Sequence, residues 1–315
     1  MRKFLLKISI FLAIFAIIYL LFFLAVDSGL KSSNYVDYTE WNEIYDGTLN
    51  SKLLILGSSR AWHQIDPQII DSVLNTNSYN LGIDGYKLSM QVCKYDIYRK
   101  YNCAPRKIII VLDHFSFDKR EGLFNKFQFI PYFYDATLTN KLKEYKGFNW
   151  EHYSIPFFQY SGSEEVSIAG LASFLKLKSF KSDKHKGYRP EDRVWRNGFE
   201  LEKKENPEGK RATVVKKVVE EFDRFLEKAK KEGIDIFMVY TPDYIEFQPH
   251  IINRDSIIDI YSNLGKKHNI PFFDYSDNII CQDKRLFIDP IHLNKKGSEI
   301  ITRDLSTKLL KYCEN

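Results

Sequence analysis

The sequence predicts an α/β protein of the flavodoxin-like, three-layer α/β/α type, with a parallel sheet and one transmembrane helix before it. Three observations predict this fold class. Short apolar runs alternate with amphipathic stretches, as in successive β-α-β units. The run Lys107 to Leu112 is almost continuously apolar, as expected of a central parallel strand buried on both faces. An N-terminal apolar segment is long enough to cross a bilayer.

The N-terminal segment predicts an uncleaved membrane anchor over residues 1–27. Arg2, Lys3 and Lys7 precede an apolar run from Ile8 to Val26. A helix needs roughly 20 residues to cross the hydrocarbon layer, whereas the apolar core of a signal peptide has about 7 to 15. Because the positive charges favour a cytoplasmic N-terminus, we expect a single-pass protein of a bacterial-type inner membrane with a periplasmic C-terminal domain. Cleavage near the end of the run, where small residues lie, is the alternative.

Composition limits the classes of function. The 315 residues, 44% of them hydrophobic, are enough for one large core or two smaller ones. The net charge of +5 is spread along the chain, and without a zinc-finger spacing, an RNA-reading motif or a phosphate-binding glycine loop we predict no nucleic-acid partner. The cysteines are even in number but lack metal-ligand spacing, so disulfide pairing is open and neither a metal nor a cofactor is expected. They are Cys93, Cys103, Cys281 and Cys313.

The elements follow in order after a polar stalk at 28–50. Apolar runs predict strands, and apolar positions at helical spacing predict helices. In the first half the strands are 53–56, 78–81 and 107–112, with helices at 66–74 and 88–100. In the second half a charged helix begins near 213, followed by strand 234–240, helix 256–268, strand 270–273 and helix 297–312. Ligands of such sheets bind at the carboxyl ends of the strands, so the site is expected there.

Residues 118–211 interrupt this pattern within the domain 51–315. The segment lacks clean periodicity and is rich in aromatic residues. We interpret it as an insertion or lid. Aromatic faces suit sugar rings or an acyl chain, and a small satellite core is the alternative.

Gly57-Ser58-Ser59 lies between a predicted buried strand and a helix. Backbone N–H groups converge at such a turn and stabilise a developing oxyanion. An ordinary turn with a helix cap has the same composition, so the motif alone does not decide. His63, four residues after Ser59, is interpreted as a structural hydrogen-bonding residue.

Asp289-Pro290-Ile291-His292, before the last helix, is more informative. An aspartate three residues before a histidine can accept a hydrogen bond from Nδ1 and leave Nε2 free to take a proton from a serine. The alternative is that both residues only shape the loop.

Together these segments resemble the SGNH (GDSL-like) hydrolase superfamily. Its first block, Gly-Asp-Ser, is similar to Gly57-Ser58-Ser59 and implies Ser59 as nucleophile, while its last block, Asp-x-x-His, matches Asp289 and His292. The oxyanion-hole glycine of its second block is matched best by Gly85. The resemblance therefore implies the SGNH hydrolase fold, a triad of Ser59, His292 and Asp289, and oxyanion donors at Ser59 and Gly85.

The third block departs from the family pattern. Where the family has Gly-x-Asn-Asp, this chain has Leu112-Asp113-His114-Phe115-Ser116-Phe117, so Ser116 or His114 would replace the asparagine donor. These departures and the anchor resemble the membrane-anchored subset that acts in cell-envelope polysaccharide O-acylation, including the alginate O-acetylation proteins and the protein of teichoic-acid D-alanylation. The resemblance implies an acyl donor, a polysaccharide acceptor and a multi-pass membrane O-acyltransferase as partner.

The leading hypothesis is acyl transfer through Ser59 to a sugar hydroxyl. Hydrolysis of such an ester uses the same triad and differs only in the acceptor. Arg60 is a candidate for binding an anionic substrate group, with surface pairing as the alternative. The competing hypotheses are a catalytically degenerate envelope scaffold or glycan-binding accessory protein, and a phosphate-binding or nucleotide-binding protein.

Overall fold

The central sheet contains five parallel strands, as predicted. In this computed structural model, which describes residues 1–35, 38–155, 158–182, 184–195 and 198–312, the strands are β1 Leu53–Leu56, β2 Ser78–Asn80, β3 Lys107–Leu112, β4 Asp235–Tyr240 and β5 Phe272–Asp274. Their order is β2-β1-β3-β4-β5 and every neighbouring pair is parallel. This is the flavodoxin-like order.

The predicted core helices are confirmed to within a few residues at their ends. In chain order the α-helices are α1 Arg2–Lys31, α2 Tyr38–Tyr45, α3 Ser59–Gln64, α4 Pro67–Leu74, α5 Leu88–Tyr101, α6 Ala136–Leu142, α7 Trp150–Ser154, α8 Glu164–Phe174, α9 Gly198–Glu205, α10 Lys216–Lys231, α11 Arg254–His268 and α12 Lys295–Leu310. Short 3-10 helices cover Lys126–Tyr132, Phe158–Tyr160, Gln248–His250, Ile279–Gln282 and Lys284–Leu286.

Helices cover both faces of the sheet. Alternate residues of β3 point to opposite faces, and Ile109 and Val111 share one buried cluster with Ile301 and Leu305 of α12. Helix α12 packs against α3 and α4, while α10 packs against α5 and α11. Every residue of β3 after Lys107 is buried. The expected three-layer arrangement is therefore present.

The chain divides into two units. The unit with the sheet comprises Gly47–Arg120 and Asp183–Asn315, and the other comprises Met1–Asp46 and Glu121–Ser182. The predicted insertion 118–211 is thus divided between the two units. Its helices α6 to α9 have between 5 and 11 residues, too few turns to produce a clear helical repeat in the sequence.

The unit that comprises Met1–Asp46 and Glu121–Ser182 contains the predicted anchor. Helix α1 has 30 residues and is long and apolar enough to cross a membrane, and its most apolar stretch is not buried in the protein. Residues 28–50 differ from the expected stalk, because α1 continues to Lys31 and α2 follows. Trp41 and Ile44 lie three residues apart on one face of α2 and are buried, and Trp41 Nε1 donates a hydrogen bond to Gln128 Oε1.

The cysteines form no disulfide in the part of the chain that the structure describes. Cys103 is an exposed thiol and Cys281 a buried one, whose Sγ donates to Tyr275 O. Cys313 lies outside the described residues. Within the described ranges, no group of three or more His, Cys, Asp or Glu side chains is arranged to hold a metal ion.

Candidate active site

Ser59 is the first residue of α3, and two residues, Gly57 and Ser58, separate it from the carboxyl end of β1. Gly57 allows this tight connection, since a Cβ at that position would lie 2.6 Å from the Cβ of Ala61. Ser58 caps the helix, and its Oγ accepts a hydrogen bond from the Arg60 N–H. The turn therefore places Ser59 at the carboxyl ends of the strands, where α/β proteins of this fold bind their ligands.

Asp289 and His292 lie opposite each other on a hairpin of β6 Phe287–Asp289 and β7 His292–Leu293. Pro290 and Ile291, which lie between them, accept hydrogen bonds from two different segments of the chain. Gln64 of α3 donates to Ile291 O at 2.6 Å, and the Tyr244 N–H donates to Pro290 O at 2.8 Å. The bond from α3 keeps the hairpin beside the helix that begins with Ser59.

Ser59, His292 and Asp289 are hydrogen-bonded in series. Ser59 Oγ lies 2.8 Å from His292 Nε2, and His292 Nδ1 lies 2.8 Å from Asp289 Oδ2. Because an ionised carboxylate only accepts, Nδ1 carries the proton and Nε2 presents its lone pair to the Ser59 hydroxyl.

The surroundings of Asp289 keep it ionised. Burial alone would raise its pKa, but the hydrogen bond and charge of His292 and the backbone N–H groups of Ile291 and His292 hold the pKa of Asp289 below its usual value. Both N–H groups donate to Oδ1 at 3.0 Å. The carboxylate is therefore fixed in position as well as in charge.

The two neighbouring serines have different surroundings. Ser58 Oγ donates to Asp113 Oδ2 at 2.6 Å, and its side chain is almost completely buried. Ser59 instead points toward His292. The geometry therefore favours Ser59 over Ser58 as the serine able to lose a proton to His292.

The structure corrects the prediction for Arg60. Its side chain is fully buried, with Nη1 2.7 Å from Asp243 Oδ1 and Nε 3.3 Å from Asp113 Oδ1. Burial lowers its pKa, but these carboxylates outweigh that effect and raise the pKa of Arg60, so it stays charged. Arg60 therefore joins the ends of β1, β3 and β4 behind Ser59 and does not reach the surface.

Replacing Arg60 by methionine is expected to lower the free energy of unfolding by about 3–5 kcal/mol, because Asp113 and Asp243 remain buried without their counter-charge. The measurement is thermal and denaturant unfolding of the full-length protein in detergent. Arg285→Met is the matched control, since Arg285 pairs with Asp283 in solvent and its loss should change stability little. Equal effects of the two substitutions would contradict the role of Arg60 as the buried counter-charge of Asp113 and Asp243.

The predicted oxyanion donors have different positions. Gly85 lies in the turn after β2, the strand next to β1, and its role stays a prediction. The structure corrects the prediction of Ser116 as an oxyanion donor. Ser116 is fully buried, and its Oγ accepts a hydrogen bond from the Asp113 N–H at 2.8 Å, so it closes the turn after β3. His114 packs against Phe115 and Phe247. Its buried Nδ1 has no hydrogen-bond partner within the described residues, and its donor role stays a prediction.

Sequence reasoning missed the contact between His63 and His292. Their ring centroids are 5.8 Å apart, edge to face. His63 Nδ1 donates to Arg189 O at 2.9 Å, which agrees with the interpretation as a structural hydrogen-bonding residue. The spacing of four residues between Ser59 and His63 predicts only that they share a helix face. It gives no sign of Arg189, the hydrogen-bond partner of His63, because Arg189 lies in a distant segment of the chain.

Burial makes His63 and His114 sensitive to acid. It lowers the pKa of each from 6.5 to about 4. As the pH falls from 6.5 to about 4, the unfolded chain binds protons that the folded protein does not. We expect a loss of about 2–3 kcal/mol of stability for each histidine over that range and none above it. Thermal unfolding between pH 7.5 and 4 should show a smaller loss in His114→Phe, and an unchanged loss would refute this.

The fold and the site can be described together. A serine, a histidine and an aspartate are hydrogen-bonded in series at the carboxyl ends of the strands of a parallel α/β sheet. No family model matches the sequence, and no curated protein matches it.

Several solved structures are similar over most of the chain. A GDSL-like lipase from Bacteroides thetaiotaomicron is 12% identical, with 89% of this chain and 97% of that chain covered and a TM-score of 0.36. An inhibitor-bound aryl esterase from M. smegmatis is 11% identical, with 83% and 99% covered and a TM-score of 0.36. A Streptococcus pneumonia protein provisionally described as a platelet activating factor is 11% identical, with 96% and 99% covered and a TM-score of 0.42. The assignment of the site rests on its own geometry.

Proposed function

We propose that this chain is a membrane-anchored serine ester enzyme of the SGNH (GDSL-like) type that carries an acyl group on Ser59. The hydrogen-bonded series from Ser59 through His292 to Asp289, with both links at 2.8 Å, is the observation that carries the proposal. A serine hydroxyl is a weak nucleophile at neutral pH and needs an adjacent base, which His292 supplies.

The proposed reaction has two acyl transfers. His292 Nε2 takes the proton of the Ser59 hydroxyl while Oγ bonds to the acyl carbon, and the carbonyl electrons move onto oxygen. They return as the bond to the leaving group breaks, and His292 protonates that group. An acceptor hydroxyl then attacks the acyl-enzyme, losing its proton to His292, which returns it to Ser59. Asp289 remains ionised and stabilises the imidazolium.

The proposed oxyanion donors are the backbone N–H groups of Ser59 and Gly85. Of the two side chains predicted to replace the asparagine of the family pattern, His114 and Ser116, His114 is the proposed neutral donor. One such donor contributes roughly 3 kcal/mol to the transition state.

The proposed acceptor is a hydroxyl of a cell-envelope polysaccharide and the proposed acyl group is acetyl. Two features support a place outside the cytoplasm: α1 is a candidate membrane span, and Arg2, Lys3 and Lys7 lie near its N-terminus, which favours a periplasmic C-terminal domain. The resemblance to envelope O-acylation proteins extends the proposal to a multi-pass membrane O-acyltransferase as partner.

The test uses full-length protein in detergent with p-nitrophenyl acetate and a polysaccharide acceptor. We expect nitrophenol release to exceed that of Ser59→Ala, with acetyl groups appearing on the polysaccharide. Release of acetate alone would support an esterase and overturn transfer. Release no faster than that of Ser59→Ala would overturn both and favour a scaffold.

A further inference from the structure

Helix α8 has a buried face and an opposite face that is apolar as well. Val166 and Gly170 lie on the buried face, whereas Ile168 on the opposite face is 68% exposed. At the C-terminal end of the helix, Phe174 and the capping residue Leu175 are 49% and 52% exposed. No charged residue occurs from Val166 to Leu175. The outer face of a helix on a soluble protein is polar, so this face needs an apolar environment.

The buried face of α8 packs against the end of α1 through two glycines. A Cβ on Gly29 would lie 1.8 Å from Gly170 O, and a Cβ on Gly170 would lie 2.6 Å from Val26 O. Only glycine allows the backbones to approach this closely, as in helix pairs within membranes. Val26, Gly29 and Leu30 are the buried residues of α1. Helix α8 therefore lies where the candidate span ends.

Aromatic residues extend the apolar surface from α1 toward α8. A cavity of about 270 Å³ has walls from both α1 and the segment before α8. Its aromatic lining residues are Tyr19, Phe22, Phe23, Phe158 and Tyr160. Trp150 of α7 is 66% exposed nearby in sequence. Tyrosine and tryptophan are enriched where a membrane meets water.

Positive charges follow α8 immediately. Lys176, Lys178 and Lys181 are exposed, and Leu177 between the first two is 76% exposed. Cationic side chains beside a short apolar helix are complementary to anionic phospholipid headgroups.

We infer that residues 164–181 lie in the membrane interface at the end of α1, with Ile168, Phe174 and Leu175 among lipid acyl chains and the lysines among anionic headgroups. With 11 residues, α8 is too short to span a bilayer, which takes roughly 20, and so lies along its surface. The inference goes beyond the proposed chemistry and depends on α1 spanning the membrane, not on the triad.

The test places full-length protein in nanodiscs of phosphatidylcholine and phosphatidylglycerol that contain a lipid with a diazirine in its acyl chain. After irradiation, tryptic peptides are analysed for lipid adducts. Peptide 147–176 contains α7 and α8, and peptide 268–284 contains Ile279, an isoleucine 72% exposed in the unit with the sheet. We expect adducts on α1 and on 147–176 and few on 268–284. Ile168→Glu should lower those on 147–176 at least about threefold, and the matched Ile279→Glu should not.

Each other outcome overturns the inference in a distinguishable way. Adducts on α1 alone would show an anchored protein whose α8 does not contact lipid. A cross-link from 147–176 to a second protein chain in place of lipid would show a protein interface. An absence of adducts on α1 would refute the membrane span itself. None of these results depends on the activity of Ser59.

Discussion

Replacing Ser59 by alanine is expected to lower kcat for ester cleavage by about 10⁴–10⁶-fold. The substitution removes Ser59 Oγ, the hydroxyl oxygen that lies 2.8 Å from His292 Nε2. Among the residues that the structure describes, Ser59 Oγ makes no hydrogen bond other than that to His292, so the thermal midpoint of the full-length protein should remain close to that of the wild type. Steady-state kinetics with p-nitrophenyl acetate and thermal unfolding measure the two effects.

Ser58→Ala is the matched control for Ser59→Ala. It removes the hydrogen bond to the buried Asp113 and should cost about 1–3 kcal/mol of stability, while the nucleophile remains. We therefore expect Ser58→Ala to lose stability and keep most of its activity. The reverse pattern in the two variants would make Ser58 the nucleophile.

Replacing Asp289 by asparagine is expected to lower kcat by about 10⁴-fold. The Oδ1 of an asparagine can keep the hydrogen bonds from the N–H groups of Ile291 and His292, both 3.0 Å in the wild type. Its NH₂ group would then face His292 Nδ1 and donate to it. This places the imidazole proton on Nε2, so that no lone pair is left to accept the proton of Ser59.

Asp283→Asn is the control for Asp289→Asn. Asp283 also accepts from a backbone N–H two residues ahead and from a nearby side chain, that of Arg285. It belongs to a different turn, and its substitution should leave kcat unchanged. If Asp289→Asn also kept wild-type kcat, the proposed orientation of His292 would be wrong.

The sheet could be predicted because its strands carry their own signal. Lys107–Leu112 is apolar on both faces and was placed correctly. The hairpin of β6 and β7 was not predicted, because strands of three and two residues are too short to show alternation. The helices within 118–211 were also not predicted, because they have too few turns to show a clear helical repeat.

The site was only partly predictable, for a different physical reason. Ser59, Asp289 and His292 were selected by residue type and spacing, and the structure brings them together; their catalytic roles stay predictions. The predictions for Arg60 and Ser116 were wrong for different reasons. Ser116 bonds to the N–H of Asp113 within its own turn after β3, whereas the surroundings of Arg60 depend on partners that follow other strands. Arg60 pairs with Asp243 after β4, and a sequence shows a charged residue without showing the remote carboxylate that buries it.

Fluorophosphonate labelling of the full-length protein shows whether His292 activates Ser59, since the reagent bonds preferentially to activated serines. We expect a label on tryptic peptide 53–60, which is kept in Ser58→Ala and lost in Ser59→Ala and in His292→Ala. Folded wild-type protein that takes up no label, or a label that survives in Ser59→Ala, would contradict this activation.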